Sequence, residues 1–191
     1  SVWQQQLRPS TGEQERSSVV RRLPKNKRRV LLCTFNGNLS WRRHKEFLEH
    51  ECRDWLDEQF LPMVMGQEHG LSKAWFGECS AAQGAKGWKL VGCGSVTTAL
   101  EGRSAGTYIA VPKAVQLRKA GGQMDWDISP PSSKGRACMA LAQTEGGCWL
   151  ALFSLYLWTG QSLGSPGNAA ILETVVTWIT RLGLVWAVGA D

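Results

Sequence analysis

Short apolar runs alternate along this chain with stretches in which apolar residues recur at helical spacing. Residues 30–35 form an apolar run closed by Asn36-Gly37-Asn38, which predicts a buried strand ended by a turn. Between Ser40 and Phe60, apolar residues recur every three or four positions until Pro62, which predicts one amphipathic helix. Residues 63–66 predict a second strand, closed by Gln67-Glu68-His69.

A strand, a helix and a strand joined by short links normally form a right-handed crossover with parallel strands. Parallel strands end at the same edge of a sheet. Asn36 and Glu68 are therefore expected to lie near one another, at the carboxyl edge where open α/β sheets usually hold their ligands.

The middle of the chain is richer in Gly, Ser and Thr. Residues 72–135 predict meandering strands rather than helices, and the candidate strands are 88–91, 107–111 and 115–118. The sequence Glu145-Gly146-Gly147 then predicts the turn of a hairpin between strands at 137–142 and 148–155.

The last segment repeats the opening pattern. The strand at 148–155 ends at Tyr156, a helix is predicted at about 168–181, and a further strand at 184–188 is followed by Gly189-Ala190-Asp191. Tyr156 and Asp191 are thus also predicted at strand ends.

Composition restricts the class of protein. The chain has 191 residues, of which 43% are hydrophobic and 20% charged, so it can bury a substantial core and is not disordered throughout. No apolar stretch reaches the roughly 18 residues that a membrane-spanning helix needs, so no membrane partner is expected. Six cysteines without a C-x-x-C pair predict reduced, mostly buried thiols, and no signal peptide is recognised, so the expected location is intracellular.

The positive charge is concentrated at the start of the chain. Residues 1–29 contain eight Lys or Arg and two Glu, whereas residues 30–191 contain equal numbers of each sign. Residues 1–29 are therefore predicted to be a basic flexible leader or linker, with two alternatives for its role. It is either a solubilising tail or joint within a longer polyprotein, or an arm that contacts nucleic acid and directs nuclear localisation. In the second case Arg28 and Arg29 are candidate phosphate contacts.

Carboxylates at the ends of buried strands need a group that stabilises their charge, and a divalent cation does so. Glu68 is the best candidate metal ligand, and oxygen donors favour Mg²⁺ or Mn²⁺ over zinc. Such a site suits phosphate-ester hydrolysis. Asp191 would orient or deprotonate water, while Asn36 and Tyr156 would donate hydrogen bonds to developing negative charge.

Five short segments resemble the motifs of the endonuclease/exonuclease/phosphatase superfamily, in order and approximate spacing. They are 34–38 (TFNGN), 66–69 (GQEH), 104–111 (SAGTYIAV), 154–157 (SLYL) and 188–191 (VGAD). The superfamily includes deoxyribonuclease-I-like enzymes, abasic-site endonucleases, inositol-polyphosphate 5-phosphatases and retrotransposon endonuclease domains. The resemblance covers about residues 30–191 and implies an α+β fold, a four-layer α/β/β/α sandwich.

The same resemblance implies roles for the site residues. Asn36 would be the active-site asparagine, Glu68 the metal-binding glutamate, Tyr156 the transition-state donor, and Asp191 the first aspartate of the family's Gly-Asp-(Phe/Leu)-Asn motif. The predicted metal ligands are Glu68, Asn36 and Asp191. Ala190 replaces the usual second glycine of that motif, and the family's later asparagine, aspartate and histidine are absent from residues 1–191. Residues 30–191 are therefore expected to form the N-terminal two-thirds of such a domain, a sandwich incomplete at its C-terminus.

Histidines and tryptophans add weaker signals. His44 and His50 are expected on the solvated side of the first helix, and His69 in an exposed loop. Trp158, just after Tyr156, is a candidate for stacking on a nucleic-acid base.

Three hypotheses follow. The first is a Mg²⁺-dependent phosphodiesterase, a DNA-nicking endonuclease domain of a retroelement polyprotein, acting on DNA or RNA, with little activity expected from this chain alone. The second keeps the fold and takes a phosphoinositide or another phosphomonoester as substrate. The third is a non-catalytic remnant that binds nucleic acid through its leader.

Overall fold

A computed structural model describes residues 28–98 and 103–191, so residues 1–27 of the predicted leader lie outside the described residues. The elements, in chain order, are β1 (Arg29–Asn36), α1 (Trp41–Glu49), α2 (Glu51–Asp57), β2 (Phe60–Gln67), α3 (Lys73–Ala85), β3 (Trp88–Cys93), β4 (Val96–Thr97), β5 (Arg103–Ser104), β6 (Thr107–Pro112), β7 (Gln116–Arg118), β8 (Ala137–Gln143), β9 (Trp149–Leu155), α4 (Pro166–Leu182) and β10 (Val185–Ala190). A single 3-10 turn, Pro131–Ser133, lies between β7 and β8.

Two four-stranded sheets form the body. The first has the order β1-β2-β6-β3, in which β1 and β2 are parallel and the other pairs antiparallel. The second has the order β10-β9-β8-β7, in which β10 and β9 are parallel and the other pairs antiparallel. Strands β4 and β5 form a separate short ribbon. Each sheet therefore contains one parallel pair, and these pairs lie at corresponding edges.

Apolar side chains form three layers of contact. The inner faces of the two sheets meet in a core that includes Met63, Met65, Ile109, Ala140 and Leu152. The first sheet carries α1, α2 and α3 on its outer face, and the second carries α4. The result is helix, sheet, sheet, helix, which confirms the predicted α+β fold with four layers. No helix in the described ranges is long and apolar enough to cross a membrane.

Several elements differ from the sequence predictions, including the ribbon of β4 and β5, which was not predicted. The predicted helix over 40–60 is two helices, because His50 has a ψ of −77° and ends the first. Helix α3 was not predicted, since its only buried residues are Phe76 and Gln83 and it shows little apolar periodicity. Strand β2 begins before Pro62, which is tolerated because this part of β2 pairs only with β1.

Candidate active site

Three predicted site residues from three different strands meet at one rim of the sandwich. The side-chain amide of Asn36, at the end of β1, donates a hydrogen bond of 2.9 Å to Oε2 of Glu68, which follows β2. The same Nδ2 also donates to the carboxylate of Asp191, which follows β10. The parallel pairing within each sheet brings these strand ends together, as expected for carboxyl ends of parallel strands.

Tyr156 joins this group from the end of β9. Its side chain is 8% exposed, and its hydroxyl lies 3.5 Å from Oγ1 of Thr159. Burial raises the pKa of the Tyr156 hydroxyl, and a hydrogen bond with Glu68 raises it further, while the positive charge of Arg136 acts in the opposite direction. A raised pKa keeps the phenol protonated at neutral pH, so Tyr156 can donate a hydrogen bond to an anion.

The backbone at Glu68 adopts an uncommon conformation. Its φ is +54°, in the left-handed region, which costs a residue with a Cβ about 1–2 kcal/mol. This turn follows directly after β2 and brings the carboxylate to Asn36. Strained backbone of this kind clusters at functional sites, which supports a functional role for Glu68.

The donor chemistry of this group fits a hard cation. Glu68 and Asp191 provide carboxylate oxygens, and Mg²⁺ is commonly bound by one or two carboxylates while it keeps several waters. Asn36 directs its Nδ2, which cannot bind a cation, toward the two carboxylates, while its Oδ1 accepts a 2.6 Å hydrogen bond from the Asn38 amide. Within residues 28–98 and 103–191, no group of three His, Cys, Asp or Glu side chains is placed to hold an ion. The assignment of Asn36, Glu68 and Asp191 as metal ligands stays a prediction.

Arg136 is a site residue that the sequence reasoning missed. It is 4% exposed, and its guanidinium carbon lies 4.8 Å from the ring centroid of Tyr156 and 3.5 Å from that of Trp158. The guanidinium donates hydrogen bonds to the backbone oxygens of Tyr156 and Leu157, at 3.3 and 3.2 Å, and to Oγ of Ser104 at 3.0 Å.

This buried cation has no carboxylate within ion-pair distance among the described residues. Burial lowers the pKa of Arg136, and electrostatic interactions with the Tyr156 hydroxyl and the Glu68 carboxylate oppose that shift. Arginine remains protonated at any physiological pH, so the site contains a fixed positive charge beside Tyr156. One signal could have revealed it: a lone arginine directly before a strand that is otherwise apolar.

Trp158 lies next to the site and is half-buried. The Arg136 guanidinium already covers one face of its indole, and Nε1 donates to Oγ of Ser133 at 3.4 Å. The indole borders an open cavity of about 380 Å³, together with residues that include Gln161 and Pro166. Stacking of Trp158 on a base stays a prediction, limited to surface that Arg136 leaves uncovered.

The basic residues Arg28 and Arg29 lie far from this rim. Arg29 is the first residue of β1 and Asn36 is the last, so about 20 Å of extended strand separates them. Arg28 forms an ion pair with Glu145, with 2.7 Å between Nε and Oε1. The structure therefore does not bring these two arginines together with the strand-end residues.

Two histidine predictions were wrong. His44 and His69 were expected at solvated or exposed positions, yet both are 0% exposed, whereas His50 is exposed as predicted. Nδ1 of His44 lies 3.0 Å from the hydroxyl of Tyr108, and its Nε2 has no hydrogen-bond partner in the described part of the chain. Burial lowers the pKa of His44 to about 3.

His69 is held by backbone groups. The Leu71 amide donates to its Nδ1 at 3.1 Å, so the ring proton is on Nε2, which donates to the Cys93 carbonyl at 2.9 Å. Burial lowers the pKa of His69 to about 4. Both histidines are therefore neutral structural groups, and pattern analysis missed their burial because their partners come from distant segments.

Comparison with known proteins finds similarity among solved structures but not among protein families. No protein-family model and no curated protein matches the sequence. Among solved structures, the chain is similar to the AP endonuclease LMAP from Leishmania major, with a TM-score of 0.50 and 14% sequence identity. The match covers 83% of this chain and 53% of that one, so this chain spans about half the length of its neighbour.

This likeness is one of fold. The chain described here and this AP endonuclease have a similar arrangement of sheets and helices. The predicted fold class is therefore supported both by the layer order and by a solved structure.

Proposed function

We propose that this chain carries part of the active site of a metal-dependent nuclease that hydrolyses phosphodiester bonds in DNA. One observation carries the proposal: Asn36, Glu68, Tyr156 and Asp191 come from the ends of four strands in two sheets and lie at one rim. Hydrogen bonds connect Asn36 to Glu68 and to Asp191, and Tyr156 lies near enough to Glu68 for that carboxylate to raise the pKa of the phenol. A sandwich whose two parallel strand pairs both end in polar groups at that rim has the layout of a substrate site.

Each residue has a chemical role in this proposal. Glu68 and Asp191 would hold Mg²⁺ or Mn²⁺, whose charge offsets negative charge on the phosphoryl oxygens. Asp191 also orients the attacking water and accepts its proton. The Tyr156 hydroxyl, protonated at neutral pH, and the Asn36 amide donate hydrogen bonds to the oxygens on which negative charge develops. Arg136 contributes a fixed positive charge beside Tyr156.

The finer assignment is a DNA-nicking endonuclease of a retroelement polyprotein, with RNA as a less favoured substrate. It is supported by the basic residues 1–29, which fit a joint within a longer polyprotein, whereas the five motif segments are shared with the phosphatase branch and do not separate the two. Nuclear localisation through the basic residues 1–29 belongs to the same proposal. The Leishmania neighbour, titled an AP endonuclease, suggests that DNA with an abasic site is a substrate to include.

Conversion of supercoiled plasmid to the nicked form tests this proposal. Purified chain is incubated with intact or abasic plasmid in Mg²⁺, in Mn²⁺ and in EDTA. We expect slow, metal-dependent nicking, because both histidines near the strand ends, His44 and His69, are buried and occupied in structural contacts. Glu68→Gln, which keeps the shape and removes the charge, should lower the rate by about 10²-fold or more.

The control is Glu78→Gln on α3, an exposed glutamate outside the site, which should leave the rate unchanged. Nicking that survives Glu68→Gln or EDTA contradicts the proposal. Release of phosphate from an inositol phosphate without nicking supports a phosphatase of the same fold. If the chain shows neither activity but binds DNA in a way that requires residues 1–29, the result supports a non-catalytic remnant.

A further inference from the structure

A polar cluster lies directly beneath the candidate active site, between the two sheets, and all of its members except the exposed Thr34 are buried. Its centre is the side chain of Gln67, the last residue of β2, which is 0% exposed. The other members are the hydroxyls of Thr34 in β1 and Ser154 in β9, and the carbonyl of Gly189 in β10. We call this set the inter-sheet hub.

The side-chain amide of Gln67 is the main donor of the inter-sheet hub. The two N–H groups of its Nε2 are shared among three acceptors: Oγ of Ser154 at 3.1 Å, the Gly189 carbonyl at 3.2 Å and the Met65 carbonyl at 2.9 Å. Its Oε1 accepts from Oγ1 of Thr34 at 3.2 Å. Ser154 in turn donates to the Gly66 carbonyl at 2.9 Å. One amide side chain therefore connects two strands of the first sheet to two strands of the second.

The inter-sheet hub is related to the site by position in the chain. Thr34, Ser154 and Gly189 each stand two residues before a site residue, namely Asn36, Tyr156 and Asp191. Gln67 stands one residue before Glu68. All four strands that end in a site residue are thus connected to one another just before they end.

Apolar packing alone would leave the relative position of the sheets loosely defined. Contacts between apolar faces are non-directional, whereas hydrogen bonds require particular distances and angles. The sheets also approach closely here: a Cβ added at Gly189 would lie 2.6 Å from the Cβ of Met65. A glycine and a directional polar group together hold β10 against β2 in one register.

We propose that Gln67 is a positioning residue, which fixes the register of the two sheets and so places Glu68 and Asp191 close enough to share one cation. That a cation binds there rests on the proposed function, whereas the positioning of the strand ends by Gln67 does not depend on it. Gln67 acts through its neighbours and does not contact the substrate.

Gln67→Met tests the proposal, because methionine has a similar volume and lacks the amide. Mn²⁺ binding is measured by electron paramagnetic resonance, and nicking kinetics are measured in parallel. We expect Mn²⁺ affinity to fall by about 10–100-fold, as for other residues that hold metal ligands in place. The kcat of nicking should fall while the KM for DNA stays within about twofold, because Gln67 does not itself contact the DNA.

Gln83→Met is the matched control, since Gln83 is also a buried glutamine but lies on α3. If Gln67→Met does not fold, Ser154→Ala removes one bond of the inter-sheet hub with little change of volume, and should reduce Mn²⁺ affinity in the same direction. The proposal would be overturned if Gln67→Met bound Mn²⁺ as tightly as Gln83→Met does. If Ser154→Ala has to replace Gln67→Met, the same comparison applies to Ser154→Ala.

Hydrogen exchange separates this inference from the proposed function. The amides of Gly37, Leu157 and Asp191 form hydrogen bonds at the strand ends, with the carbonyls of Gln67, Asp191 and Leu155 respectively. In the hub variant these three amides should exchange about fivefold faster than in Gln83→Met, the change expected for loss of about one hydrogen bond. If the wild-type chain neither binds Mn²⁺ nor nicks DNA, the proposed function is wrong, and exchange at these amides decides the inference. Unchanged exchange at all three would overturn it.

Discussion

Acidification between pH 6.5 and 5 should destabilise this protein through its two buried histidines. His44 and His69 are 0% exposed, and burial lowers their pKa values to about 3 and about 4 from an ordinary value of 6.5. Unfolded chain therefore binds a proton on each imidazole near pH 6.5, whereas the folded chain stays neutral until much lower pH. Because the unfolded state binds more protons in this window, the free energy of unfolding falls as the pH falls.

The magnitude follows from the size of the shifts. Each pH unit below 6.5 costs about 1.4 kcal/mol for each histidine that stays neutral when folded, so the loss at pH 5 is about 2 kcal/mol per histidine. Both together remove about 4 kcal/mol, a large part of the roughly 5–15 kcal/mol by which native domains are stable. The free energy of unfolding has its full value above pH 6.5. The part of it that depends on neutral His69 is lost progressively down to about pH 4.

Urea unfolding followed by tryptophan fluorescence at pH 7, 6 and 5 measures this effect. His69→Gln should be less stable than the wild type at pH 7, yet should show about half of the wild-type loss between pH 6.5 and 5. His50→Gln is the control, because His50 is exposed and should leave the pH dependence unchanged. Parallel pH profiles for wild type and His69→Gln would refute the reasoning, because they would show that His69 takes up no fewer protons when the chain is folded.

Three further predictions concern packing, charge and thiol exposure. Gly37→Ala should lower the free energy of unfolding by about 1–3 kcal/mol, because the added Cβ would lie 2.1 Å from Nε2 of His44. Gly77→Ala on α3 is the control: its Cβ meets no atom, so it should raise the free energy of unfolding by up to about 1 kcal/mol. Equal urea midpoints for the two variants would contradict this expectation. Arg136→Met should lower the free energy of unfolding by about 1–3 kcal/mol in the same assay, because it leaves the buried Tyr156 carbonyl, the half-buried Leu157 carbonyl and the Ser104 hydroxyl without their donor. An unchanged midpoint would show that these bonds contribute nothing. Cys148 is the exposed cysteine, so a thiol reagent should label it first in the native protein, and a fast phase that persists in Cys148→Ser would be inconsistent with the fold.

Much of the architecture could be predicted from residue pattern. The apolar runs that became β1, β2, β9 and β10 are bounded by polar turn residues, and the lengths of their connections require parallel pairing in each sheet. That logic also placed Asn36 and Glu68 at one edge, where a hydrogen bond of 2.9 Å joins them. Helix α3 was not predicted, because it buries few apolar residues and its sequence therefore shows little helical periodicity of apolar positions.

The burial of polar groups could not be predicted in the same way. Arg136, His44 and His69 read as ordinary polar positions in the sequence, yet all three are buried in the folded chain. A local pattern reports which side of an element is apolar. It does not show whether a carbonyl or hydroxyl from a distant segment will form a hydrogen bond with a buried polar side chain. That hydrogen bond decides whether the burial of the side chain is tolerated.

The sequence by itself determined the strands of the two large sheets and the polar residues at the ends of β1, β2, β9 and β10, because these depend on local periodicity, turn chemistry and the handedness of short connections. Only the tertiary structure decided that the two sheets face each other so that Glu68 and Asp191 both reach Asn36. That arrangement depends on contacts between strands more than a hundred residues apart, such as those of Gln67 with Gly189, which no local pattern contains.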